Sequence, residues 1–246
     1  MSKVIAIFGA GKGLGASVAR RFAREGFRVA LVARGKERLD ALVEELKAEG
    51  IDAAGFTADL SKPERVPATV QAIRDHFGRI DVVEYGPISG EQAFAPAVKV
   101  DAATLRKDSP LLLLTPVEVA RAVLPEWNER GDGAFLMTTG ATAGYPRPFA
   151  SGVGPLMAAA RNWLFSLNGE LADAGIYAGT LSIAAFIARS EMGELAAKSL
   201  AETGSTGTGP LVDPDALADQ YWDMYTKRDR VEQLYPEPEA SQPSNG

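Results

Sequence analysis

At 246 residues with 46% hydrophobic side chains, the chain has enough apolar material for one sizeable core. No run of about twenty apolar residues suggests a membrane span. A net charge of −6, with acids and bases interspersed, argues against nucleic acid or an anionic membrane as the main partner. Cysteine is absent, which excludes disulfides, thiolate metal sites and cysteine nucleophiles, and no metal site is expected. The single histidine, His76, sits in the polar run Arg74-Asp75-His76-Phe77 and reads as a solvated surface residue. The apolar start Val4–Phe8 is too short for a signal peptide, so a soluble cytoplasmic protein is expected.

Short β-branched runs alternate with helical stretches, which predicts an α/β fold: one doubly wound parallel sheet, helices on both faces, in a single domain over residues 1–235. Strands are expected near 3–8, 28–33, 53–57, 80–85, 133–138 and 176–182. Helices are expected over 17–25, 36–49, 63–77, 110–127 and 155–174. In the second, Leu39, Leu42, Val43 and Leu46 recur at helical spacing and Gly50 stops the run. In the third, Ser61 is a plausible cap and Pro63 falls in the first turn. Residues 202–210 read as flexible, and Asp213-Pro214-Asp215 opens a helix with Leu217, Tyr221, Met224 and Tyr225 on one face. The last residues, 236–246, read as a disordered tail.

The strongest motif is Phe8-Gly9-Ala10-Gly11-Lys12-Gly13-Leu14-Gly15, between the first strand and the first helix. Glycines let the backbone turn tightly and approach a pyrophosphate, while free N–H groups at the helix start point at the anion. In a βαβ context such a cluster signals a dinucleotide site. The spacing Gly9-x-x-x-Gly13-x-Gly15 resembles the short-chain dehydrogenase/reductase family. So do Ala58-Asp59-Leu60, Ile80-Asp81-Val82-Val83, Ala120-Arg121-Ala122-Val123-Leu124-Pro125 and the stretch from Arg161 to Leu171. The resemblance implies a Rossmann fold and a cofactor site at Gly9, Gly11, Lys12, Gly13, Leu14, Gly15, Arg34, Asp59, Leu60, Tyr85 and Gly86. Asp59 would contact the adenine. A homodimer or homotetramer, associating through two long central helices, is also implied.

Cofactor choice is read at the end of the second strand, where NAD binders place a carboxylate for the ribose 2′-hydroxyl. Here the strand ends Val32-Ala33-Arg34. Arg34 suits a 2′-phosphate instead, and Lys12 matches the other basic position of NADP-preferring members, so NADP (NADPH) is expected.

The family's reaction uses a tyrosine as proton donor, a lysine four residues later that lowers its pKa, a serine that positions the carbonyl and an asparagine that holds a relay water. Here the tyrosine and lysine positions fall on Val153 and Met157, and the asparagine on Leu112. The serine falls on Gly140 or Thr142. The family's Asn-Asn-Ala-Gly becomes Tyr85-Gly86-Pro87-Ile88, and its Pro-Gly after the sixth strand becomes Ile183-Ala184. Weak candidates for a replacement catalytic group are Tyr85, Thr142 and Tyr145. The apolar replacements would suit an apolar small-molecule ligand. Two functions stand side by side: an NADP-dependent oxidoreductase with a non-standard site, or a non-catalytic NADP-binding protein acting as redox sensor or partner subunit. The segment 189–214, rich in glycine and threonine, is expected to be mobile and to cover the pocket.

Overall fold

Strands buried on both faces need apolar residues at successive positions, and such runs locate the middle of this molecule. The computed structural model describes residues 2–88, 95–149, 151–203 and 209–237. The first six strands are β1 Val4–Phe8, β2 Arg28–Ala33, β3 Ala53–Thr57, β4 Val82–Tyr85, β5 Gly133–Gly140 and β6 Ile176–Ile183. Two short strands, β7 Phe186–Ile187 and β8 Leu211–Val212, pair with each other, and β9 Glu232–Tyr235 closes the main sheet. That sheet has seven strands, all parallel, in the order β3-β2-β1-β4-β5-β6-β9. The order reverses between β1 and β4, and ligands of open α/β sheets bind in the crevice above such a point.

The helices are α1 Leu14–Ala23, α2 Lys36–Ala48, α3 Val66–Phe77, α4 Ala102–Ser109, α5 Thr115–Arg130, α6 Gly154–Leu171, α7 Glu191–Thr203 and α8 Pro214–Lys227. On one face of the sheet, Ile5, Ile7, Leu31 and Leu136 pack with Phe22, Leu39, Leu46, Tyr221 and Met224 from α1, α2 and α8. On the other, Phe8, Val83, Phe135 and Met137 pack with Ile73, Val123, Trp127 and Leu164 from α3, α5 and α6. Each such side chain, fully buried, contributes about 1.5–3 kcal/mol. Asp81 ties the strand starts together: its carboxylate accepts the Val4 N–H at 2.8 Å and pairs with Arg79. Trp127 donates its indole N–H to the Ile80 carbonyl at 2.8 Å, and its ring occupies the space a Cβ on Gly133 would need.

The α/β architecture and the six expected strands are present, with shifted boundaries. The first helix begins at Leu14, inside the glycine loop, rather than at Ser17. The stretch expected as one helix from Pro110 starts eight residues earlier, at Ala102, where Asp101 caps it by accepting the Thr104 N–H at 2.8 Å. Pro110 is not a start: it opens a π-helical turn, Pro110–Leu114, that joins α4 to α5. A proline in a helix removes a hydrogen bond, and a widened turn accommodates the loss. The segment 189–214 is not a bare loop, since it contains α7 and β8. Of the stretch 202–210, residues 204–208 lie outside the described residues, as do 238–246 of the expected tail. β9 was not anticipated. His76 is exposed, its ring edge-on to Phe56 and Phe77, as expected of a surface residue.

Candidate functional site

The glycine loop takes its shape from backbone contacts. Gly9 and Ala10 both donate to the Val32 carbonyl, at 2.9 and 3.0 Å, which pins the turn to β2. Gly9 has φ +95°, and a Cβ there would lie 2.6 Å from the backbone of Pro87. A Cβ on Gly15 would lie 2.9 Å from Ala10 Cα. Gly11 faces open space. Gly13 precedes α1 and no side chain caps the helix; Ala16 donates to the Gly11 carbonyl at 2.9 Å, which leaves the Leu14 and Gly15 N–H groups for an anion. Leu14, the first residue of the helix, packs against the core.

Beside this loop, a cavity of about 150 Å³ is lined by Gly9, Ala33, Arg34, Asp59, Leu60 and Ser61, with Pro87, Ile88 and Leu111 completing the wall. Asp59 accepts from both the amide and the hydroxyl of Ser61, at 3.0 and 2.7 Å. These bonds, with Lys62 and Arg34 nearby, hold its carboxyl below the usual carboxylate range. Leu60 is buried and its carbonyl accepts from Thr115 Oγ1 at 2.7 Å. Arg34 forms no ion pair among the described residues. Thus Gly9, Arg34, Asp59 and Leu60 converge on one cavity.

Lys12 stands apart from that cavity. Its ammonium lies 2.6 Å from Glu194 on α7, while Arg38 lies 2.8 Å from Glu191 one turn away. Ser190 seats against Gly13, at 3.3 Å from where a Cβ would stand. Arg189 holds φ +62°, a left-handed conformation costing on the order of 1 kcal/mol in a non-glycine residue. Its guanidinium is anchored to Ser17 Oγ, Asp213 and Asp215 at 3.3, 2.8 and 3.0 Å. Ser190 and Glu194, at the start of the segment expected to be mobile, therefore rest on the glycine loop.

At the far side of the switch point, Leu112, Val153 and Met157 close on one another. With Ala143 and Leu156 they form a separate buried apolar cluster. Gly140, at the end of β5, donates its N–H to Met157 Sδ at 3.3 Å. Thr142 Oγ1 lies 3.5 Å from where a Cβ on Gly140 would stand and 3.7 Å from the equivalent point on Gly154.

The weak tyrosine candidates are not placed for proton transfer. Tyr85 turns into the core: its ring stacks on Phe8, its hydroxyl donates to the Leu111 carbonyl at 2.6 Å, and burial pushes its pKa well up. Buried and committed to the Leu111 carbonyl, that hydroxyl is occupied within the protein rather than offered to a ligand. Tyr145 is 61% exposed on the loop after β5. Gly86 follows β4, its N–H donating to the Phe8 carbonyl at 3.0 Å.

Two polar groupings escaped sequence reasoning. Glu84, in the middle of β4, is fully buried and pushed up to about 8 by burial. Thr138 Oγ1 donates to it at 2.8 Å, and Tyr221 OH lies 2.6 Å from that same hydroxyl. A Cβ on Gly86 would lie 2.6 Å from both Glu84 Oε1 and Thr138 Oγ1, so glycine there makes room for the carboxyl. An acid inside a run of apolar strand residues was the available signal. Behind α6, Arg161 grips Glu232 on β9, which also accepts from Ser182 Oγ at 2.6 Å, and Ser182 joins Thr139 at 2.9 Å. Among the described residues, no group of His, Asp and Glu could hold a metal, and no helix is long and apolar enough to cross a membrane.

The model of the family described as short chain dehydrogenase matches residues 3–198. The chain belongs to that family. A short chain dehydrogenase of Pseudocercospora fijiensis is 29% identical over 182 residues, covering 73% of this chain but 58% of that protein. The 3-oxoacyl-(acyl-carrier-protein) reductase of Staphylococcus aureus is 37% identical over 84 residues, 34% of either chain. The chain thus spans less than two thirds of the curated relatives it matches. Among solved structures, L-sorbose reductase from Gluconobacter frateurii, complexed with NADPH and L-sorbose, superposes with a TM-score of 0.81. It is 22% identical, over 95% of this chain and 94% of that one, which supports the fold.

Proposed function

We propose that this member of the family binds NADP(H) and does not carry out the family's tyrosine-dependent carbonyl reduction. The observation that carries the reading is the contrast across the switch point. On the adenosine side, Arg34 and Asp59 face a polar cavity beside the glycine loop. On the nicotinamide side, the tyrosine, lysine and asparagine positions are Val153, Met157 and Leu112, packed together. Arg34 would receive a 2′-phosphate through its planar fork, Asp59 would accept from the adenine amine, and the uncapped start of α1 would face the pyrophosphate. When bound, the cofactor supplies a hydride at its nicotinamide ring. At that end Val153 and Met157 hold no proton to deliver and exclude water. Losing a positioned general acid typically costs about 10²–10⁴-fold in rate.

A second reading is hydride transfer to an apolar acceptor that needs no tyrosine, such as an enone. The large apolar side chains exposed around the loops after β4 and β5, Ile88, Val98, Tyr145 and Phe149, favour it. In either case the reading is of a cytoplasmic protein that assembles as a homodimer or homotetramer through α5 and α6. A steady-state screen of NADPH consumption against ketones, aldehydes and enones tests the proposal. Robust turnover of a simple ketone overturns it, and turnover confined to enones selects the second reading.

A further inference from the structure

We propose that the cleft is a receptor for the 2′-phospho-ADP-ribose part of the dinucleotide, and that the nicotinamide adds so little that oxidised and reduced cofactor bind alike. This rests on the NADP reading above and narrows it to one end of the ligand.

The two ends of the crevice offer different chemistry. The cavity beside the glycine loop, about 150 Å³, is short of the roughly 300–1,000 Å³ of pockets that enclose a whole drug-sized ligand. Its polar groups are already aimed. Ser61 fixes Asp59 by two hydrogen bonds, so the carboxylate keeps lone pairs oriented for an exocyclic amine. Arg34 lines the same wall and, unlike Lys12 and Arg38, forms no ion pair among the described residues, acting on Asp59 only from a distance. A guanidinium in that state is a ready partner for a phosphate dianion. The loop N–H groups at Gly13 and Leu14 lie within the same strand–loop–helix unit and suit the pyrophosphate.

Across β4 and β5 the positions are spent. Leu112, Val153 and Met157 are 6%, 3% and 8% exposed, and their partners are one another. The Gly140 N–H, a donor that could have met a carboxamide, goes to Met157 Sδ. The cluster is closed on itself, so a nicotinamide ring finds no pocket there and is left in solvent. Oxidised and reduced rings differ in charge, and an apolar pocket would penalise the cationic one; a ring that finds no pocket keeps its hydration in either state, so that difference does not reach the protein. A group that gains no differential contact shifts no equilibrium. The arrangement therefore reads phosphate and adenine and is indifferent to redox state, which sets it against a role as a redox sensor.

The test is titration calorimetry on the full chain with NADP⁺, NADPH, NAD⁺ and 2′-phospho-ADP-ribose, which is NADP without its nicotinamide. The first, second and fourth are expected to bind within about ten-fold of one another, and NAD⁺ more weakly than all three by at least about ten-fold. Arg34→Ala, an exposed position whose folding is checked by circular dichroism, should weaken the three phosphorylated ligands in parallel. The inference is overturned by NADP⁺ binding more than about ten-fold tighter than 2′-phospho-ADP-ribose, or by a comparable gap between NADP⁺ and NADPH. Those outcomes leave the NADP reading intact. Binding of none of the phosphorylated ligands overturns both.

Discussion

Glu84 Oε1 accepts a hydrogen bond from Thr138 Oγ1 at 2.8 Å in the interior of the sheet, between strands whose facing residues are Ile7 and Leu136. The partner is neutral, and the next group along, Tyr221 OH, is neutral as well. Burial pushes the Glu84 carboxyl up from 4.5 to about 8. The folded protein therefore holds a proton that the unfolded chain sheds near its ordinary value. Its stabilising contribution is complete below that value and declines as pH rises to about 8. The expected loss over that window is at most about 5 kcal/mol. Urea unfolding at acid and mildly alkaline pH should show it, and Glu84→Gln should flatten the slope. An unchanged slope in that variant would contradict the assignment.

Arg34 is expected to set cofactor choice. One charge-assisted bidentate contact contributes about 1.5–3 kcal/mol, so Arg34→Ala should weaken NADP(H) by roughly ten- to hundred-fold and leave NAD(H) nearly unchanged. Calorimetry with both cofactors decides it, and equal losses for the two would assign Arg34 to general attraction instead.

Lys12 offers the opposite case, a cation occupied by Glu194 at 2.6 Å. The pair is exposed and contributes little to stability, about 0–1 kcal/mol. Glu194→Gln removes a negative charge beside the phosphate loop, so NADP affinity should rise several-fold at low salt, and the gain should shrink as salt increases. Affinity that falls in this variant would show that the carboxylate supports the loop rather than competing for its cation.

Tyr85→Phe removes the hydrogen bond to the half-buried Leu111 carbonyl, at a cost of about 0.5–1.5 kcal/mol. Denaturation midpoints should drop accordingly while NADPH binding holds. Tyr145→Phe, on an exposed loop, should change neither. NADPH consumption abolished by either substitution would instead identify a displaced proton donor.

Much of this was legible in the chain because periodicity and glycines act locally. The positions of the six early strands, the glycine loop and the two cavity residues Arg34 and Asp59 follow from short stretches with their own physical logic. The closing of Val153, Met157 and Leu112 into one cluster was visible as a loss of chemistry, although the packing itself is tertiary. Glu84 was missed because strand position alone does not tell which partner lies across the sheet, and Thr138 is 54 residues away in sequence. α7 was missed because its flanking glycines and threonines masked the helix-forming run Glu194-Leu195-Ala196-Ala197-Lys198. Tyr85 was judged by its place at the strand end, when its hydroxyl is taken by the carbonyl of Leu111, 26 residues away in sequence.

The π-turn at Pro110–Leu114 also governs phase along the α4–α5 rod. A widened turn of this kind acts as one residue inserted into an α-helix, and each residue advances the helix by about 100°. Everything from Ala102 to Ser109 is consequently rotated by that angle against the face α5 presents to the sheet. Deleting a single leucine from Leu111-Leu112-Leu113-Leu114 would restore continuous winding and swing Leu105, which packs at the edge of the apolar cluster, out of alignment with Val153 and Met157. The turn thus works as an angular offset, letting one helical rod serve the sheet with its later half and the crevice with its earlier half.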